Sequence, residues 1–152
     1  MANPDAVGQN FPNSFGRYLI CAANTVSVGA QANAAAAMPF FSGGLTNGGA
    51  IANSGGVIVR QVTFQNPSAD ISTANVGILT SNDGNTSNAV VSVFKLSNVS
   101  AVGKFQDGNI ATTYVSTEIA GNQTQALFVF VSSAGATTGT VDIRVYGDTV
   151  SF

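Results

Sequence analysis

From Arg17 onward the chain is a succession of short β-branched and aromatic runs divided by turn residues. This rhythm constrains the fold most, because such runs fit a pleated, half-buried surface and the Gly, Asn, Asp and Ser between them interrupt it. Strands are expected near Tyr18–Ala22, Thr25–Ala30, Val57–Gln65, Val76–Thr80, Ala89–Leu96, Val99–Phe105, Ala111–Glu118, Ala126–Ser132 and Thr140–Tyr146. Eight or nine short strands describe an all-β, antiparallel sandwich or barrel, and the expectation is an antiparallel β-sandwich. An eight- to nine-strand jelly roll fits the count best, with a Greek-key sandwich of immunoglobulin type as the other reading. The Cys–Trp–Cys hallmark of true immunoglobulin domains is missing, since the chain has one Cys and no Trp.

Two dipeptides mark hairpins, Asp83-Gly84 and Asp107-Gly108, because type I′ turns need positive φ at both central residues. Tight pairing across the first sets Ile78 opposite Ala89 and Val76 opposite Val91. Pairing across the second sets Phe105 opposite Ile110. Gln31–Met38 is alanine-rich and has enough residues for one or two helical turns before Pro39, but it carries no clear amphipathic stripe. Ser42–Gly56 reads as a glycine-rich loop.

The 152 residues divide into an extended N-terminal arm, 1–16, and a single β-sandwich domain, 17–152. Pro4 and Pro12 fix extended backbone in the arm. Phe11 and Phe15 have no use in a free tail, so they pack either on the chain's own sheet or on a neighbouring subunit. Met1-Ala-Asn-Pro-Asp5 has neither the basic start nor the apolar run of a secretion signal. No apolar run approaches the length of a membrane-spanning helix. The expectation is a chain made in the cytoplasm.

Charge is scarce. Lys and Arg number 5 and Asp and Glu 7, only 8% of the chain and a net charge of −2, against about 25% in an average domain. No basic footprint for nucleic acid or an anionic membrane is present. Without His the commonest general base and metal ligand are missing, and Ser–His or Cys–His nucleophile pairs are impossible. A single cysteine, Cys21, excludes an intramolecular disulfide and a thiolate zinc site, and among Leu19, Ile20 and Ala22 it reads as a small buried hydrophobe. Glu118 with Asp107, Asp142 or Asp148 is the only carboxylate pairing open to glycoside hydrolysis, and the aromatic platforms such an enzyme uses are thin. The cluster Asn82–Asn88 offers oxygen ligands like half a calcium loop, but no acidic residue closes it, and a tight turn explains it. The triplets at Asn85, Asn98 and Asn122 are expected by chance in so Asn- and Thr-rich a chain. The expectation is a protein without catalysis, metal or cofactor.

Several strands fail the apolar–polar alternation of a half-exposed sheet. Ala126–Val131 sets Leu127, Val129 and Val131 on one face and Ala126, Phe128 and Phe130 on the other. Val90–Leu96 sets Val90, Phe94 and Leu96 against Val91 and Val93. Val57–Phe64 sets Val57 and Val59 against Ile58, Val62 and Phe64. By contrast, Val141, Ile143 and Val145 alternate with Asp142, Arg144 and Tyr146. Two-faced strands need a cover, either the chain's own long segments or a neighbouring subunit. A charge-poor surface favours the second, and a homo-oligomer, most simply a trimer, is expected.

A small all-β chain rich in Ala, Gly, Asn, Ser and Thr, ending in Ala134-Gly-Ala-Thr-Thr-Gly-Thr-Val-Asp-Ile-Arg-Val-Tyr-Gly147, resembles virion structural proteins of tailed bacteriophages. The likeness is nearest to the jelly-roll decoration, or cement, proteins of the capsid. It implies a non-enzymatic, usually trimeric virion protein that clamps neighbouring major capsid proteins on the outer capsid surface. The candidate interface residues are Phe11, Phe15, Phe128 and Phe130. An alternative reading is a carbohydrate- or receptor-binding module of a tail fibre or spike, with Tyr114 or Tyr146 as platform. A lattice-forming coat protein is a third, for which the chain is short and lacks basic residues.

Overall fold

β-Branched and aromatic runs become strands wherever a ladder partner and a core face are both within reach. A computed structural model of the chain describes residues 18–40, 55–116, 126–135 and 138–151. Its strands are β1 (Tyr18–Ser27), β2 (Ala32–Pro39), β3 (Gly55–Gln65), β4 (Asn75–Leu79), β5 (Ala89–Lys95), β6 (Phe105–Asp107), β7 (Tyr114–Ser116), β8 (Ala126–Ser133) and β9 (Thr140–Ser151). The arm, with Phe11 and Phe15, lies outside the described residues.

One sheet has the order β1-β9-β3-β6, with β7 also on β3; the other has the order β2-β8-β4-β5. The pairing is nested. The first strand pairs with the last, β2 with β8, β3 with β6 and β7, and β4 with β5, all antiparallel. Counting β6 and β7 as one interrupted strand, this is the winding of a jelly roll. The two inner faces form one core, with Ile20, Val59, Val62, Phe64 and Ile143 from the first sheet and Met38, Ile78, Leu127 and Val129 from the second. Phe64 and Phe94 meet edge-to-face across it, with ring centroids 5.4 Å apart.

The Thr25–Ala30 and Tyr18–Ala22 runs merge into β1. The register slips between Ala23 and Val26, and Thr25 takes a left-handed φ of 51°. The alanine-rich stretch is not helical but forms β2. A helix of one or two turns is marginal in water, whereas β8 offers a ladder that is continuous from Ala36 to Pro39 and Met38 becomes fully buried in the core. The Val99–Phe105 run is not a strand. Leu96 and Val99 anchor two consecutive turns instead, closed by Val99 N–H to Leu96 O and Lys104 N–H to Ala101 O.

Both expected hairpin registers are corrected. β4 and β5 do pair, but Ile78 lies opposite Val91 and Val76 opposite Phe94, with extra residues bulged on β5. The connection is longer than a two-residue turn. Ser81 and the Asn85 N–H bind the Asp83 carboxylate, Asn85 caps a 3-10 turn over Thr86–Asn88, and only Gly84 is left-handed. Phe105 pairs with Gln65 and not with Ile110, which bridges to Val91 on the other sheet. Residues 105–116 therefore stitch the sandwich edge. They run beside β3, cross to β5 where Asn109 O and Val90 O accept ladder bonds, and return to β3 through Thr113 O. The crossing needs Gly108, because a Cβ there would lie 2.9 Å from Val91 and 3.2 Å from Phe64.

Candidate docking face

A β-bulge shifts side-chain parity by one, so a bulged strand can look two-faced in sequence and still bury one face. β3 is such a strand. Its register with β9 shifts between Val59 and Gln61, which turns Val57, Val59, Val62 and Phe64 all into the core. Bulges in β5 likewise bring Val91 and Phe94 to the same side as Ile78 and Val76. The two-faced reading of β3 is therefore corrected, whereas β5 still lays Val93 over Gly77 on the outer side.

β8 keeps it. From Phe128 to Val131 its ladder with β4 is unbroken, so Leu127, Val129 and Val131 are fully buried. Ala126, Phe128 and Phe130 point to the opposite, outer face and are half-buried. Phe128 sits between Ala37 of β2 and Leu79 of β4, and Phe130 sits beside Gly77. Gly77 fits there because Val93 of β5 leans over it, 3.1 Å from where a Cβ would stand.

The chain itself covers part of this face. Leu79 is fully buried although it points outward with Phe128. Gly84, from the β4–β5 connection, lies against Asn33 of β2, a strand separated from β4 by β8. Because Asn33 stands on the edge strand β2, beyond β8, that connection reaches it over the outer face. Beside it a cavity of about 440 Å³ is lined by Gln31, Ala32, Asn33, Phe130 and Val131. The Gln31 amide donates to Ser132 O and closes the cavity's rim. Asn33 and Gln31 were hidden in sequence, because they belong to a stretch with no strand pattern.

The other sheet presents a different surface. Arg60, Asp107, Asp142, Arg144 and Asp148 stand on its strands, whereas the strands of the β2-β8-β4-β5 sheet carry a single charged residue, Lys95 at a strand end. Each carboxylate of the charged sheet is engaged. Asp148 pairs with Arg60 at 2.9 Å, and Asp107 accepts from Thr63 at 2.8 Å and from Gln61. Asp142 accepts from Thr25 N–H and Asn66. Burial raises the Asp142 carboxyl, but the bonds from Asn66 and Thr25 and the Arg144 charge outweigh it and hold the group below its ordinary value. Glu118 and the Tyr114 side chain lie outside the described residues, and Tyr146 is half-buried opposite Leu19.

Elsewhere the titratable groups serve the fold. The Ser81 hydroxyl and the Asn85 N–H hold Asp83 below its ordinary value, and Ser72 does the same for Asp70. Burial pushes the Cys21 thiol up to about 12. Among the described residues no group of three His, Cys, Asp or Glu side chains gathers as a metal site. Comparison with family models, curated proteins and solved structures finds no match.

Proposed function

We propose that this chain is a non-enzymatic structural protein of a virion, a capsid decoration or cement subunit that binds across neighbouring capsid proteins. One observation carries the reading: the contrast between the two outer faces of the sandwich. The β1-β9-β3-β6 sheet turns a hydrogen-bonded polar surface outward, as a wetted face should. The strands of the β2-β8-β4-β5 sheet turn Phe128 and Phe130 outward and carry Lys95 as their one charged residue, with Asp83 in the connection that reaches over this face. Few charges need desolvation when such a face is covered, so burial there is favourable.

The mechanism is added contact. Opening a shell seam covered by this subunit also requires breaking an interface of about 1,200–2,000 Å², the size of a stable protein–protein contact. The subunit acts as a homo-oligomer, a trimer in the simplest case, with major capsid protein as its partner. The resemblance to jelly-roll decoration proteins of tailed bacteriophages and the nested strand pairing both support this reading.

The test measures mass by light scattering and binding to empty shells. An oligomer that binds shells, weakened by the double variant Phe128→Ser, Phe130→Ser with its fold retained by circular dichroism, is expected. A monomer that binds no shell overturns the reading, and an oligomer indifferent to the double variant removes β8 from it.

A further inference from the structure

The β5–β6 connection and the first residue of β6 carry the most exposed large apolar side chains of the described structure. Val102 is 81% exposed and Phe105 is 62% exposed. Phe105 forms one wall of an open cavity of about 530 Å³, whose other lining residues are Ser97, Asn98, Ser100, Gly103 and Lys104. This is the opposite end of β5 from the Asp83 loop, and it shares no residue with the cavity beside Phe130.

The cavity is held rigidly. Leu96 and Val99, both fully buried, pin the first turn from below. The second turn, Ala101–Lys104, is closed by Lys104 N–H to Ala101 O at 3.0 Å, with Gly103 at a φ of 82°. Gln106 ties the two strand ends together, accepting from Asn98 N–H at 2.9 Å and donating to Lys95 O at 3.0 Å. Yet among the described residues the side chains of Ser97, Asn98, Ser100 and Lys104 have no hydrogen-bond or ion-pair partner. This backbone thus sets two serines, an asparagine, a lysine and a phenylalanine around one concavity.

We infer that this cavity, formed by Phe105, Asn98, Ser97, Ser100 and Lys104, is a binding site for a short saccharide bearing a carboxylate. The ring of Phe105 offers an apolar face for the C–H surface of a pyranose. Amide and hydroxyl groups donate and accept to sugar hydroxyls, in the mixed arrangement typical of small-ligand sites. Lys104 supplies a cation and no carboxylate among the described residues lines the cavity, so an acidic sugar is favoured over a neutral one. A nucleotide fits less well, because one lysine without a helix N-terminus makes a poor phosphate cradle. The inference does not depend on the shell-binding reading, since it concerns a different surface.

Saturation-transfer NMR on the full chain tests it, with methyl sialoside, methyl glucuronide, methyl glucoside and benzoate as probes. Transfer to the two acidic sugars in the millimolar range is expected, with the sialoside and glucuronide arms reporting which acidic class is preferred. Phe105→Ala should weaken binding about tenfold, Phe105→Tyr should retain it, and Lys104→Gln should erase the preference for acidic over neutral sugar. Phe105 is exposed, so these variants keep the fold, which an unchanged melting curve verifies. No transfer to any sugar, or binding unaltered by Phe105→Ala, overturns the site. Benzoate bound as tightly as the acidic sugars overturns the saccharide class.

Discussion

The Asp142 carboxylate accepts the backbone N–H of Thr25 at 2.9 Å, across the bulge where β1 slips against β9. Its second oxygen accepts from Asn66 at 3.0 Å. Thr25 and Asn66 are the non-glycine residues with positive φ among those described, each at 51°. One side chain therefore secures both left-handed positions, which otherwise cost about 1–2 kcal/mol apiece. Asp142→Ala should destabilise the fold by about 0.5–1.5 kcal/mol, the net worth of hydrogen bonds whose donors water can reach, read as a lower urea midpoint with an unchanged slope.

The same carboxylate makes stability depend on acid. Its pKa is lower folded than unfolded, so its contribution is complete above the unfolded value of about 3.9. That contribution is lost as pH falls through the folded value. Unfolding free energies measured from pH 6 down to pH 2 should fall less steeply in Asp142→Asn than in the parent chain. Parallel curves would show that Asp142 contributes nothing to the acid limb.

Gly147 and Gly103 are glycines for different reasons. A Cβ on Gly147 would lie 1.9 Å from the Ile58 carbonyl oxygen and 2.6 Å from Ile20 Cδ1, both in the packed first sheet. Gly147→Ala must displace backbone and should cost about 3 kcal/mol or more. Gly103 has open space around it and a φ of 82°, so Gly103→Ala should cost only about 1 kcal/mol. Thermal melts of the pair distinguish clash from backbone strain.

Cys21 faces the core, and burial pushes its thiol from 9.0 to about 12. A folded state that keeps its proton is stable below the unfolded value and loses stability as pH rises toward the folded one. Stability should therefore decline above about pH 9, and Cys21→Ala should flatten that decline. A thiol reagent should label the native chain only as fast as it unfolds.

Residues on opposite faces of β8 should respond differently to truncation. Leu127 is fully buried, and Leu127→Ala should cost about 2–5 kcal/mol. Phe130 is half-buried on the outer face, and Phe130→Ala should cost the isolated chain about 1 kcal/mol. In an assembly built on this face, Phe130→Ala should also remove the concentration dependence of the melting temperature.

Strand identity was legible where the side chains alone decide it. β3, β4, β5, β8 and β9 fall on the expected runs, and Val141, Ile143 and Val145 of β9 point inward as their alternation requires. The apolar outer face at Phe128 and Phe130 was legible for the same reason, since β8 runs without a bulge between Phe128 and Val131. β2 was not legible, because alanine prefers neither face and only pairing with β8 makes it a strand. The cluster around Phe105 was equally hidden. An exposed Phe beside two serines carries no pattern until the turns at Leu96–Val99 and Ala101–Lys104 gather them.

The amino-acid pattern by itself determined an all-β sandwich, its principal strands, its scarcity of charge and a β8 strand apolar on both faces. These follow from local periodicity and composition, which every segment carries with it. Tertiary structure alone decided the bulges that turn β3 into a one-faced strand and re-aim β5, the true registers of both expected hairpins, and the crossing of residues 105–116 between sheets. Register depends on which distant strand lies alongside, as when β1 meets β9 from the far end of the chain. One extra residue on one side of such a pair reverses every side chain beyond it, and no local run records that residue.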